Sequence, residues 1–179
     1  MAQKKIVVAY GTRYGSTRMI AGEVAEFLKQ KGCITELVDL RSRGVRSRLE
    51  DFDMAVVGSS IAIFSWIAKV KAFLRRCKKT GIPTAIFISS GMAVDDPEKA
   101  KTKFLDKIVA RIGIRPIAAE AFAPVLDFRP GSDVPEKIKN RIKGTIKAVA
   151  KDRFQEDGLM DLRDKGQFEN FLGKLAASI

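Results

Sequence analysis

Apolar residues recur along the chain in short blocks, and the spacing inside the blocks is of two kinds. Ile6, Val7, Val8, Ala9 and Tyr10 form an unbroken apolar run, which predicts a strand buried on both faces. The next block places Ile20, Val24, Phe27 and Leu28 at i, i+4, i+7 and i+8, the stripe of an amphipathic helix. That helix is expected to begin near Ser16 or Thr17 and to end at Gly32. Ile34 to Leu40, Asp53 to Ser60, Ile82 to Ser90 and Ile117 to Leu126 read as four further strands. Trp66 to Cys77 reads as a helix with Ile67, Val70, Phe73, Leu74 and Cys77 inward. Asp96-Pro97 has the form of an N-cap followed by proline at the first helical position. It opens a helix with Phe104, Leu105, Ile108 and Ile112 inward. Phe168, Phe171, Leu172 and Leu175 mark the last helix.

Apolar strands alternating with helices predict a parallel sheet covered on both faces. Ligands of such sheets lie beyond the carboxyl ends of the strands, where strand order reverses. Three connections fall there: 11–17, 59–66 and 89–96. The first, Gly11 followed by Thr12, Arg13, Tyr14, Gly15, Ser16 and Thr17, joins a strand to a helix N-terminus, where free N–H groups and the macrodipole favour an anion. It lacks the lysine of a nucleoside-triphosphate loop, and its glycine spacing is not that of a dinucleotide loop. Its hydroxyls suit one terminal phosphate monoester. The alternative is a turn whose Ser and Thr only cap the helix. The second connection, Ser59, Ser60, Ile61, Ala62, Ile63, Phe64, Ser65 and Trp66, is apolar enough to flank a flat heteroaromatic ring; alternatively, Phe64 and Trp66 only cover the sheet end. The third, Ser89, Ser90, Gly91, Met92, Ala93 and Val94, offers backbone groups and a thioether, with no aromatic.

Composition narrows the chemistry. With no histidine among 179 residues, Ser-His and Cys-His nucleophiles and histidine metal sites are excluded, and no other residue stands out as catalytic or metal-ligating. Cys33 and Cys77 are isolated within apolar patterns, so buried thiols are expected and no metal spacing can be drawn. No apolar run approaches a membrane span, and Lys4 and Lys5 lead straight into a strand rather than a signal peptide, so a cytoplasmic protein is expected. The 33 Lys and Arg against 21 Asp and Glu give a formal net charge of +12, which favours anionic partners. The stretch 127–158 is basic, and in it Ile138, Ile142, Ile146 and Val149 form a helical stripe flanked by Lys137, Lys139, Arg141, Lys143 and Lys147. Such a helix docks on a membrane surface or an acidic partner, or else covers its own sheet.

The T-R-Y-G-S-T loop after a first strand beginning at residue 4 resembles the [ST]-x-x-G-x-[ST] phosphate loop of flavodoxins. Val57-Gly58-Ser59-Ser60-Ile61, Phe104-Leu105, Arg115-Pro116 and Asp161-Leu162-Arg163-Asp164 are similar to the flavodoxin-related subfamily that includes menaquinone-dependent protoporphyrinogen oxidase. The likeness spans essentially the whole chain, although only the loop is a sharp motif. It implies an α/β, flavodoxin-like three-layer sandwich with a five-stranded parallel sheet of order 2-1-3-4-5. One domain covers 1–179, with 127–158 as an insertion after the fifth strand. It further implies noncovalent FMN, its phosphate on Thr12, Arg13, Tyr14, Gly15, Ser16 and Thr17. The ring then lies between Ser59, Ser60, Ile61, Ala62 and Ile63 on one side and Ser89, Ser90, Gly91 and Met92 on the other. The expected activity is oxidoreduction of a small or porphyrin-like substrate with a quinone acceptor. A flavodoxin-type carrier serving a protein redox partner is the alternative. Peripheral membrane contact through 137–147 fits the first, and no nucleic-acid partner is expected.

Overall fold

β1 (Lys5–Gly11) sits between β2 (Ile34–Asp39) and β3 (Met54–Ile61), and β4 (Thr84–Ser90) and β5 (Ala118–Phe122) extend the β3 side. The sheet order is therefore 2-1-3-4-5, as expected, and every pairing in this sheet is parallel. Val8 stands opposite Leu37 on one side and Val56 on the other, and Val57 opposite Ile86. These positions belong to a computed structural model, which describes residues 3–42, 48–62, 64–140 and 158–179.

Alternation along the strands divides the core in two. Ile6, Val8, Val56 and Phe87 face α1 (Ser16–Gln30) and the last helix, α6 (Lys165–Ala176), through Ile20, Val24, Leu28, Phe171 and Leu175. Val7, Ala9, Val57, Ile86 and Ile88 face the other way, against Val70, Phe73, Leu74 and Cys77 of α2 (Ala68–Thr80). Leu105 and Ile112 complete that layer. Gly58 is where the first face needs space: a Cβ there would lie 2.3 Å from Phe87 Cζ, its neighbour across the ladder. β2 departs from the expectation of buried strands, since Ile34 and Leu37 are exposed on this edge strand.

The helical run after the third connection is capped as expected. The Asp96 side chain accepts from Lys99 N, and Pro97 starts α3 (Pro97–Ala100). A wider π-helical turn over Lys101–Asp106 then leads into α4 (Lys107–Ile112), a break that apolar spacing alone does not show.

The expected strand 117–126 is two strands. Pro124 has no N–H to donate to a ladder, and the parallel ladder stops at Phe122, two residues before it. β6 (Val125–Asp127) turns away and pairs antiparallel with β7 (Leu159–Asp161), forming a two-stranded arm. Asp127 and Arg129 are joined at 2.7 Å, and Arg163 bonds both Asp161 (2.6 Å) and Glu23 of α1 (2.9 Å). Residues 136–140 form a helical stretch, α5. Lys139 on it corrects the picture of a solvated basic face. It is buried, with Nζ donating to Glu136 Oε1 and Arg129 O, both at 2.7 Å. Lys137 is exposed, whereas Arg141, Ile142, Lys143, Ile146, Lys147 and Val149 lie outside the described residues.

Candidate functional site

The first connection leaves the sheet at Gly11, where a Cβ would lie 2.6 Å from Val70 Cγ2, so only glycine lets α2 pack this close. Gly15 then turns the chain at φ +85°, left-handed backbone that favours glycine, and starts α1 as its N-cap with no side-chain cap bond. The Ser and Thr of this loop are therefore not capping the helix.

What the hydroxyls do instead separates them. Ser16 Oγ lies 2.8 Å from Ser89 Oγ and accepts from Val125 N at 3.0 Å, tying the loop to the ends of β4 and β6. Its oxygen is braced by both partners, and its backbone N–H is also available to a ligand. Thr12 Oγ1 and Thr17 Oγ1 are buried without a hydrogen-bond partner. Each buried, unbonded hydroxyl costs on the order of 1–3 kcal/mol, so two in one short loop at a helix N-terminus fit a group that supplies their acceptors. A phosphate monoester does so, and the glycine that a Cβ would strain keeps the helix entrance open.

The neighbouring loops frame the same end of the sheet. Ser59 Oγ donates to Ser60 O and accepts from Ile67 N, while Ser60 Oγ is a third buried hydroxyl without a partner. Ala62 and Ser65 close a tight turn through N–H to carbonyl bonds of 3.1 and 3.3 Å. Phe64 stands at its tip at φ +57°, 72% exposed, with Lys103 Nζ 4.9 Å from its ring centre. Ile63 lies outside the described residues. Trp66 is no lip residue: it is buried, and its indole N–H donates to Phe104 O at 2.9 Å within the π-helical turn. At the third loop Ser90 Oγ accepts from Met92 N, which holds Gly91 exposed and Met92 half-buried beside the cleft.

Sequence reasoning named Arg13 but missed Arg18, Asp39, Arg41 and Asp133 on the β2 side. Arg13 Nη1 donates to Ala62 O at 2.6 Å, and Arg41 Nη1 donates to Thr12 O at 2.5 Å. Arg18 is paired with Asp133 at 2.9 Å, and Asp133 Oδ2 approaches to 3.1 Å the position a Gly15 Cβ would take. Burial raises the Tyr10 hydroxyl above its ordinary pKa, helped by the Asp39 carboxylate and opposed by Arg18. The basic run after β2 in the sequence was the available signal, but not its fold-back onto the first loop. Elsewhere burial pushes the Cys77 thiol up to about 11, which marks it as core rather than nucleophile.

A doubly wound parallel sheet with hydroxyl-bearing loops at its switch point defines a flavodoxin-like protein. The family described as flavodoxin domain matches residues 7–129, and the chain belongs to it. No curated protein sequence matches the chain significantly. Among solved structures it is similar to a short-chain flavodoxin associated with a non-canonical PDU bacterial microcompartment (13% identity, 99% of both chains, TM-score 0.54). It is similar also to the Streptococcus pneumoniae TIGR4 flavodoxin (14% identity, 98% of this chain and 99% of that one, TM-score 0.52). Rubredoxin oxygen:oxidoreductase of Desulfovibrio gigas shares the fold over 96% of this chain (17% identity, TM-score 0.51). The chain spans 37% of that protein's length.

Proposed function

We propose that this chain binds FMN at the carboxyl end of its sheet and transfers electrons through it. The observation that carries the reading is the pair of buried, unpartnered hydroxyls on Thr12 and Thr17 at the entrance to α1. Those hydroxyls, with the backbone of Arg13, Tyr14, Gly15 and Ser16, would hold the phosphate. Ser59, Ser60, Ile61, Ala62 and Ile63 would lie on one side of the ring, and Ser89, Ser90, Gly91 and Met92 on the other. Bound FMN supplies the redox chemistry, so the chain needs no histidine and no nucleophile.

Charge favours an acidic redox protein as partner, because a +12 chain is steered onto negative surfaces. The finer reading, an oxidoreductase similar to the quinone-dependent protoporphyrinogen oxidase, rests on sequence resemblance alone. It would add a porphyrin-like substrate and peripheral contact with the membrane that holds the quinone, for which Lys137 is the described exposed cation of 137–147. Among the described residues no helix is long and apolar enough to cross a membrane.

Calorimetric titration with FMN, riboflavin and FAD tests the proposal. FMN should bind more tightly than riboflavin by at least tenfold, the scale of hydrogen bonds to a charged group. Equal affinity for riboflavin and FMN would overturn it.

A further inference from the structure

An open cavity of about 390 Å³ lies on the β2 side of the first loop, lined by Thr12, Arg13, Arg18, Asp39, Arg41, Ser42 and Asp133. It includes Thr12 and Arg13 of the loop but none of Ser16, Thr17, Ser59, Ser60 and Ser89. Three guanidinium groups from three separate segments meet here. Like charges gather this way at a cost unless something negative compensates them. The described carboxylates do so only in part. Asp133 is paired with Arg18, and Asp39 Oδ1 accepts the Arg41 backbone N–H at 2.8 Å. Arg13 and Arg41 instead hold neutral carbonyl oxygens, and among the described residues neither guanidinium is paired with a carboxylate. Those two bonds use one nitrogen of each and fix both side chains in place, leaving the rest of each planar fork for an oxyanion.

We propose that this cavity is a second oxyanion site, beside the first loop and sharing Thr12 and Arg13 but not Thr17 with it, that takes a small molecule through a phosphate or carboxylate group held by the side chains of Arg13, Arg18 and Arg41. Lys69 of α2 reinforces the positive rim from beneath, its Nζ donating to Arg41 O at 2.9 Å. Arg13 links the cavity to the exposed turn at Ala62, so a ligand anchored here lies beside the lip at which electrons would be exchanged. The site stands on its own geometry and does not require FMN.

Titration of pyrophosphate into the FMN-saturated protein, in phosphate-free buffer, tests it, with citrate as the carboxylate probe in a parallel arm. One equivalent of pyrophosphate or citrate should bind without displacing FMN, and which binds more tightly tells the preferred oxyanion. Arg18→Gln and Arg41→Gln should each weaken it about tenfold. Arg18→Gln leaves the Arg41 bond to the first loop intact, so its effect does not depend on that loop's shape. Lys29→Gln, which removes the same charge from the far end of α1, should change nothing. No binding of either probe, equal loss with Lys29→Gln, or competition between the probe and FMN would overturn the inference. Should the chain take no FMN, the same titration is run on the chain alone. A single site lost in Arg18→Gln and kept in Thr17→Ala upholds the cavity while the FMN reading falls, and the reverse sensitivity overturns the cavity.

Discussion

The first loop and the β6–β7 arm both bury polar groups at the carboxyl end of the sheet, yet they treat them in opposite ways. In the arm the charges are spent on one another. Asp127 takes three bonds from Arg129, two of them from the guanidinium, and Asp161 shares Arg163 with Glu23. Among the described residues of the arm, Arg163 Nη1 is the buried side-chain atom left without a bond, and that guanidinium lies 4.4 Å from the centre of the Phe168 ring. In the first loop one hydroxyl is spent on bracing and two are left without partners. A chain that satisfies its polar groups is building structure, and hydroxyls left unsatisfied beside a helix N-terminus fit a ligand whose oxygens would accept from them.

That contrast is broken most severely by removing Arg163. Burial pushes the Asp161 carboxyl up, but its hydrogen bonds to Arg163 outweigh this and hold it below its ordinary range. Arg163→Ala should cost about 2 kcal/mol in chemical denaturation, the scale for losing hydrogen bonds to a charged group, because Asp161 and Glu23 stay partly exposed to water. FMN affinity should change less than twofold once the protein is folded. In the unmodified chain the lowered Asp161 pKa contributes stability that is complete above about pH 4 and is lost as pH falls through it. Arg163→Ala should flatten that acid limb, read from denaturation midpoints across pH 2 to 6 (roughly the carboxylate range).

A smaller effect sharpens the other side. Gly15→Ala puts a Cβ on left-handed backbone, at about 1–2 kcal/mol, and 3.1 Å from Asp133 Oδ2. Because the strain sits at the helix entrance, FMN affinity should fall by more than the same substitution costs at Gly32. That residue has similar backbone, but nothing lies within 4 Å of its Cβ position. Equal affinities in the two variants, measured by flavin fluorescence, would detach Gly15 from binding.

Much of this was legible in the chain because it is local. The apolar runs of β1, β3 and β4 and the Asp96-Pro97 start each follow from neighbours in sequence. So does the start of α1 at Ser16. The end of the ladder before Pro124 was not read, because the apolar run across it reads as one strand, 117–126. What could not be read depends on distant partners. Ser16 also braces the site through Ser89 and Val125, 73 and 109 residues away, a role its sequence neighbours do not show. Lys139 looks like a solvated cation until the Arg129 carbonyl takes it inward. Trp66 passes for a lip aromatic because the carbonyl that holds it belongs to a helix 38 residues on.

The central claim is that the loop keeps two hydroxyls for a phosphate, and one pair of numbers on Thr17→Ala tests it directly. Its hydroxyl has no partner, so losing it should leave the stability of the FMN-free chain unchanged or raise it, as read by denaturant midpoint. The same substitution should weaken FMN by about 1–3 kcal/mol and leave riboflavin binding as it was. A variant that loses stability while binding FMN as tightly as the unmodified chain would contradict the account, since the hydroxyl would then belong to the fold and not to the ligand.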